Sequence, residues 1–321
     1  MTTKEQVLAC LEENRGTPLS GEALAEKLGR SRTSVWKAIK ELQKEGHRIT
    51  AAQNRGYTLE PGSDVLSEPG VRRWLNDPVP QMLVVPEIDS TNTAAKQMAA
   101  QGAPHGTLVI ADSQTGGRGR RGRSFASPAG TGLYLSMILR SSLPMERVVL
   151  ITSAAAVAVC RAVKEVTGKQ LSIKWVNDLF YNGKKCCGIL TEAAADMESG
   201  GLDHMVVGIG LNLLPPKDGW PEELREIAGS IFEPGETVDR CRLAAAIANE
   251  LLKMAAQLPG IGFMQEYRAR NLVPGKDIFI VQNGSRRPAH AESITDSGHL
   301  LVTLPDGSTE ELSFGEVSIR F

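Results

Sequence analysis

Residues 116–123 read Gly-Gly-Arg-Gly-Arg-Arg-Gly-Arg, four glycines and four arginines with no apolar side chain among them. Such a stretch fits neither a helix nor a strand interior, because glycine loses the most backbone freedom on ordering. Permanent guanidinium charges also resist unpaired burial. The segment must therefore be a loop, and it directly follows a predicted strand. Glycine lets a backbone approach a ligand closely, and arginine presents paired donors to phosphate or carboxylate. Without a ligand the loop repels itself; an anion would let it close and exclude water. Nonspecific RNA binding is the other use of a basic glycine tract, and the position inside a folded domain argues against it.

The 321-residue chain as a whole has an ordinary globular composition, 41% hydrophobic and 23% charged, long enough for two or three domains. Aromatics are only 5%, so aliphatic side chains must fill the core. The net charge of −1 hides an asymmetry: residues 27–55 hold eight Lys/Arg against two acids, a net of +6, leaving −7 elsewhere. This points to an anionic partner at one end, with a solvated basic face as the plainer alternative. The five cysteines form no CxxC pair and the five histidines no HExxH, so no protein-built metal site is expected. The polar N-terminus and the lack of any apolar run near 20 residues predict neither leader nor membrane span, and hence a cytoplasmic protein.

The first sixty residues predict a winged helix. Val7, Leu8 and Leu11 fall at helical spacing over 3–14, and Thr17-Pro18 breaks the pattern. Ser20 caps a second helix that turns at Gly29, and Ser31 caps a third with Val35, Ile39 and Leu42 inward. The other side of that third helix carries Arg32, Thr33, Lys37, Lys40 and Lys44. A basic helix after a glycine turn describes a helix-turn-helix with a DNA face that begins at Ser31: Arg32, Thr33 and Ser34 near its start can reach base edges, while Lys37 and Lys40 contact phosphates. Stretches 47–50 and 57–59, closed by Asn54-Arg55-Gly56, make the wing. A small helical protein-interaction module is the alternative. Trp36 fits either packing against the wing or DNA contact. Residues 60–64 read as a linker.

From residue 80 strands mix with helices: strands at 82–85, 107–111, 133–139, 171–175, 186–193 and 204–211, helices at 92–101 and 145–166. A mixed or antiparallel sheet follows. The glycines do not form the dinucleotide GxGxxG arrangement. Lys174 and Lys185 add cations at strand ends, and no nucleophile–base pair is legible. Cations without a nucleophile suit chemistry in which one substrate attacks another while the protein positions and offsets charge. A helix at 244–258 is followed by short strands such as 277–281 and 300–304, with turns at Asn283-Gly284 and Asp306-Gly307.

Taken together, GRGRRGR at 117–123, Ser90-Thr91-Asn92 after a strand, KWVND at 174–178, KCCGIL at 185–190 and GEVSIR at 315–320 resemble the bifunctional biotin protein ligase/repressor family. The resemblance covers nearly the whole chain and implies an α+β multidomain protein. Its parts would be a winged helix-turn-helix over 1–62, a mixed α/β ligase domain over 63–268 and an SH3-like β-barrel over 269–321. It implies ATP and biotin as ligands, with Mg²⁺ carried on the substrate phosphates. Biotin carboxyl carrier protein and operator DNA would be partners, and the adenylate-bound form a homodimer. Ser90, Thr91, Asn92 and Gln114 would contact the biotin head, although the first three equally suit an ordinary helix start. Arg118, Gly119 and Arg120 would close over biotin and adenylate. Arg118, Arg120, Arg121, Lys185, Asn212 and Trp220 would face the adenylate, with Lys185 also beside the biotin carboxylate and the α-phosphate and Trp220 as readily a loop residue packed on the core. Lys185, Arg120 and Asp178 would carry the chemistry. The family has Pro where Val176 stands, and bulkier aromatics where this chain has Ser124-Phe125-Ala126.

Overall fold

The computed structural model describes residues 2–52, 55–140, 144, 147–195, 202–282 and 285–319. The chain divides into two compact units, one of residues 1–78 with 236–246, the other of 79–235 with 247–321.

The first unit begins with helices α1 (Thr3–Glu13), α2 (Gly21–Leu28) and α3 (Arg32–Lys44). Each starts where a hydroxyl meets an orphan amide: Thr2 forms a capping box with Glu5, Ser20 accepts from Ala23 N and Ser31 from Ser34 N. Gly29, at φ +61°, ends α2 in the left-handed conformation that side chains resist. Val7, Leu8, Leu11, Leu24, Val35, Ile39 and Leu42 share one core with Ile49 and Leu59 from the wing. The wing strands, β1 (Ile49–Ala52) and β2 (Gly56–Leu59), pair antiparallel with Ile49 opposite Leu59. Their loop residue Asn54 lies outside the described residues. Strand β1 starts two residues later than expected, because the His47 amide still bonds Leu42 O and closes α3. Leu19 exchanges two backbone hydrogen bonds with Tyr57, so close that a Cβ on Gly56 would sit 2.0 Å from Leu19 O. A short helix unforeseen in the sequence, α4 (Glu68–Arg72), follows, capped by Ser67.

The second unit is built on a seven-stranded mixed sheet. Its strands are β3 (Met82–Ile88), β4 (Leu108–Gln114), β5 (Gly132–Leu139), β6 (Ser172–Lys174), β7 (Asp178–Tyr181), β8 (Lys184–Ala195) and β9 (Leu202–Asn212). They lie in the order β3-β4-β5-β9-β8-β7-β6; only β3 and β4 are parallel. Interior strand β5 is buried along its whole length, as a run apolar but for Ser136 demands. Helix α5 (Thr91–Ala100) lies against β4, β5 and β9, and α6 (Val148–Thr167) against β8. Helix α7 (Arg240–Gln257) gives residues 240–246 to the first unit and the rest to the second, where α8 (Met264–Arg270) follows.

Five further strands, β10 (Lys276–Gln282), β11 (Ser285–Ile294), β12 (Leu300–Thr303), β13 (Thr309–Leu312) and β14 (Glu316–Ile319), form an antiparallel sheet in the order β13-β12-β11-β10-β14. Among the described residues no ladder joins β13 to β14, so the ladders give an open sheet rather than a closed barrel. The Asp306-Gly307 turn is present, with Ser308 N donating to Asp306 Oδ1 at 2.9 Å; Asn283-Gly284 and Arg320 lie outside the described residues. Among the described residues, no helix is long and apolar enough to cross a membrane.

Candidate functional site

A cavity of about 240 Å³ opens in the second unit. Ser90, Thr91, Asn92, Gln114, Arg118, Gly119, Arg120, Arg121, Asp178, Lys185, Asn212 and Trp220 all line it, so every ligase residue singled out in the sequence reaches one space.

One end is polar and already organised. Ser90 caps α5 and places Thr91 and Asn92 in its first turn, all three nearly buried. Thr91 donates to Gln114 Oε1 through its amide at 2.9 Å and its hydroxyl at 3.1 Å, while Gln114 Nε2 donates to Ser127 Oγ at 2.9 Å. Ser136 on β5 donates to Asn92 Oδ1 at 2.6 Å, and Asn92 Nδ2 donates to Glu192 Oε2 at 2.9 Å. Burial pushes the Glu192 carboxyl upward, but the hydrogen bonds from Lys96 and Asn92 and the charges of Lys96 and Arg118 outweigh it and leave its pKa lowered. Helix start and cavity-lining polar groups thus coexist in these three residues, as a buried network with fixed orientations permits.

The floor is glycine. Gly188 on β8 and Gly210 on β9 are direct cross-strand partners, and Gly208 lies two residues along from Gly210 on the same face. A Cβ at Gly210 would come within 2.5 Å of the Phe125 ring, and one at Gly208 within 2.0 Å of Asn92 Oδ1. The segment with fewer aromatics therefore keeps one ring seated on the floor, where its edge meets Tyr134 at 6.4 Å and 72°.

The other end is cationic. The Gly-Arg loop is folded: Arg118 bridges Ser124, Gly119 N bonds Arg123 O at 2.7 Å, and Arg121 sits at φ 57°. Arg120 donates to Asn177 Oδ1 at 3.0 Å and Gly315 O at 3.2 Å, Arg121 to Val281 O at 3.1 Å, and Arg123 grips Glu316 with bonds of 3.1 and 2.8 Å. Burial lowers the Arg120 pKa against the pull of Asp178, and it lowers that of Lys174 against the pull of Asp178 and Glu316. Lys185 Nζ stands 2.6 Å from Asp178 Oδ1. The contact is close without the alignment of a hydrogen bond, so buried Oδ1 is held by charge alone. Asn212 Nδ2 donates to Gly229 O at 3.1 Å, tying β9 to the segment that carries Trp220, itself half-buried at the cavity wall. Six cations (Arg118, Arg120, Arg121, Arg123, Lys174, Lys185) face two acids (Asp178, Glu316) across this space.

Sequence reasoning gave no role to Phe125, Asn177, Glu192, Glu316 or the floor glycines. Glycines at alternate positions 208 and 210 of an apolar strand were the one available signal, marking close approach on one face. Among the described residues no group of His, Cys, Asp and Glu could hold a metal ion.

In the first unit Arg32, Thr33, Lys37 and Lys40 are exposed on α3. Ser31 and Ser34 serve the cap, their hydroxyls 2.9 Å apart. Trp36 does not pack inward; it is 50% exposed.

Residues 84–212 match the model of the biotin/lipoate A/B protein ligase family, and residues 3–58 that of an HTH domain. Over 242 residues, 74% of each chain, the protein is 40% identical to the bifunctional ligase/repressor BirA of Bacillus spizizenii. It is 27% identical to the bifunctional ligase/repressor BirA of Escherichia coli over 311 residues, 94% of this chain and 92% of that one. The structure of biotin protein ligase from Aquifex aeolicus in complex with biotin and ATP superposes with a TM-score of 0.63 at 25% identity, covering 75% of this chain and 99% of that one. A ligase domain shared at this identity, preceded by the matching helix-turn-helix, makes the chain a member of the biotin/lipoate A/B protein ligase family.

Proposed function

We propose that the protein joins biotin to ATP as biotinoyl-5′-AMP, transfers biotin to a lysine of biotin carboxyl carrier protein, and represses biotin synthesis genes by binding operator DNA. The single observation that carries the ligase reading is the cavity itself: polar at one end, glycine-floored in the middle and bearing six cations against two acids at the other. A neutral ureido head, an apolar tail and an anionic carboxylate–phosphate junction ask for that sequence of surfaces.

In the first step a carboxylate oxygen of biotin attacks the α-phosphorus of ATP and pyrophosphate leaves. Both reactants are anions, so their approach is uphill until fixed cations offset the repulsion. Arg118, Arg120, Arg121 and Lys185 do this, with Mg²⁺ arriving on the triphosphate as part of the substrate. Lys185 stands where charge develops on the α-phosphoryl oxygens, and Asn212 and Trp220 hold the adenylate side. Ser90, Thr91, Asn92 and Gln114 hold the biotin head, and Gly119 lets the loop backbone come close. In the second step the ε-amine of the carrier lysine attacks the acyl carbon, AMP leaves, and the amine loses a proton; Asp178 orients that amine or accepts its proton. The closed loop keeps water from the mixed anhydride between steps.

The domain limits of this reading are 1–62, 63–268 and 269–321, the last as an SH3-like barrel. Ser31, Arg32, Thr33, Ser34, Lys37 and Lys40 form the DNA face, and adenylate favours a homodimer that meets two half-sites.

Purified protein given biotin, ATP and Mg²⁺ is expected to release pyrophosphate and yield biotinoyl-AMP by mass, then to label the carrier lysine. Absence of both pyrophosphate and an acyl-adenylate would overturn the ligase reading.

A further inference from the structure

Trp36 has a surface role that the fold does not explain. Half of it meets solvent, and among the described residues it is the only large apolar side chain so exposed in the first unit; the others, Ile227, Leu272 and Phe314, belong to the second. Leaving an indole in water is unfavourable, and the α3 core stripe of Val35, Ala38, Ile39 and Leu42 is complete without it. On a helix advancing about 100° per residue, Trp36 lies about 40° from Arg32 on one side and about 40° from Lys40 on the other, with Thr33 about 60° away. Those three neighbours are exposed as well. The one acid within α3, Glu41, falls about 140° from Trp36. The exposed indole is thus flanked by two cations, Arg32 and Lys40, with no acid of α3 on its side. It is well matched to a polyanion that offers an apolar group between its phosphates.

We propose that Trp36 is a base-reading contact that enters the major groove and packs on thymine C5-methyl groups. The inference rests on the repressor reading above and adds to it a residue that sets sequence preference. The thymine methyl is the one apolar group the major groove displays, so an apolar side chain on a recognition helix discriminates there without a hydrogen bond. One helical turn away on either side, Arg32 reaches base edges while Lys40 holds phosphate and sets the register.

The test uses the full-length protein with biotin and ATP present. A duplex pool with 20 randomised base pairs is enriched on the native protein and on Trp36→Ala. The best native duplex is then remade with deoxyuridine for thymine, which deletes only the methyl groups. The native protein is expected to favour thymine at one or two positions and to bind the deoxyuridine duplex roughly fivefold to tenfold more weakly, the cost of about one mismatched base pair. Trp36→Ala is expected to lose that thymine preference and to bind both duplexes equally, with an unchanged salt slope because no phosphate contact is lost. An enriched sequence and methyl sensitivity identical to the native protein's would overturn the inference while leaving the repressor reading intact. So would a loss spread evenly over all positions with a shallower salt slope, or a change in self-association with DNA binding untouched. If the native protein enriches no sequence, the repressor reading fails and the inference with it. Thermal melting of both proteins keeps misfolding distinct from lost contact.

Discussion

The exposed side of α3 and the cavity of the second unit both gather positive charge, yet they are assembled in opposite ways. Ser31, Arg32, Thr33, Lys37 and Lys40 lie within ten residues, and one helix with its own serine cap presents them all. The cavity draws Ser90, Gln114, Arg120, Lys185, Asn212 and Glu316 from more than two hundred residues of chain. Against the proposed DNA partner each α3 side chain would act nearly alone, so losses should be small and roughly additive. In the cavity Arg120 bonds Asn177 and Lys185 pairs with Asp178, whose charge also pulls on Arg120, so removing one leaves others uncompensated. Large, coupled effects belong to the cavity; small, separable ones belong to the helix.

Lys185→Ala should break that contrast if anything does. Its ammonium faces Asp178 at 2.6 Å, and in the proposed mechanism it meets the charge that grows on the α-phosphoryl oxygens. Loss of one such stabilising group costs roughly a hundredfold to a thousandfold in rate. Pyrophosphate release is expected to fall by at least about a hundredfold, while biotin affinity by calorimetry stays within a few fold, since the polar end of the cavity is untouched. Near-native turnover would remove Lys185 from the chemistry.

The next effect belongs to the first unit and concerns its fold. His47 is 4% exposed and its Nδ1 has no hydrogen-bond partner among the described residues. Burial lowers its pKa from 6.5 to about 4, outweighing the opposing pull of Glu45. Between these values the unfolded chain binds a proton that the folded unit refuses, so stability rises with pH there. It is complete above about pH 6.5, declines as acid is added, and has lost its His47 share by about pH 4, a change on the order of 3 kcal/mol. Denaturant melts of the first unit's signal across that window should show the slope, and His47→Phe should flatten it. An equal slope in the variant would assign the acid sensitivity elsewhere.

How much of each region could be read in advance follows from the same contrast. The α3 cap, the Gly29 turn and the Val35, Ile39, Leu42 stripe are local and were legible. The side on which Trp36 would lie was not, because a residue on the flank of a helical stripe is placed by its neighbours in space. In the second unit β7 went unseen although Asn182-Gly183, with φ of 48° and 79°, is the hairpin turn that closes it onto β8. The motif at 174–178 read as one strand end and masked the turn. The cavity-lining residues were legible through resemblance. Their partners Gly315, Val281 and Glu316 were not, since nothing near residue 120 in the sequence points 160 to 195 residues onward.

Arg120→Gly tests the middle of the range. Two of the bonds that hold the loop shut, to Asn177 Oδ1 and Gly315 O, end in this one guanidinium. Each charge-assisted bond is worth about 1.5–3 kcal/mol where it is formed. Loss of both should raise adenylate release by about tenfold or more without abolishing its synthesis. Chased adenylate should then escape and label bystander lysines. Native-like release would mean that Arg121 and Arg123, bonded to Val281 O and Glu316, suffice to hold the loop.

The smallest effect should come from Ser31→Ala. Ser31 Oγ accepts from Ser34 N at 3.1 Å and lies 2.9 Å from Ser34 Oγ, so it satisfies one orphan amide of α3 and fixes the first turn from which Arg32 and Thr33 project. Alanine removes the acceptor at a cost of about 1 kcal/mol, enough to fray that turn without unfolding the core beneath it. The variant should melt a few degrees lower in the first unit's transition and bind its enriched duplex severalfold more weakly. Its salt slope should be unchanged, because Lys37 and Lys40 lie in the second and third turns, beyond the frayed end. Ser31→Asp separates the two roles of this position. An aspartate caps as well as serine and favours the helix dipole, so stability should return. Its charge, however, would stand at the end of α3 proposed to meet DNA and should weaken DNA binding further than alanine does. Recovery of both stability and DNA affinity in Ser31→Asp would place this helix end away from the DNA, and the two regions would then differ in kind less than their charge suggests.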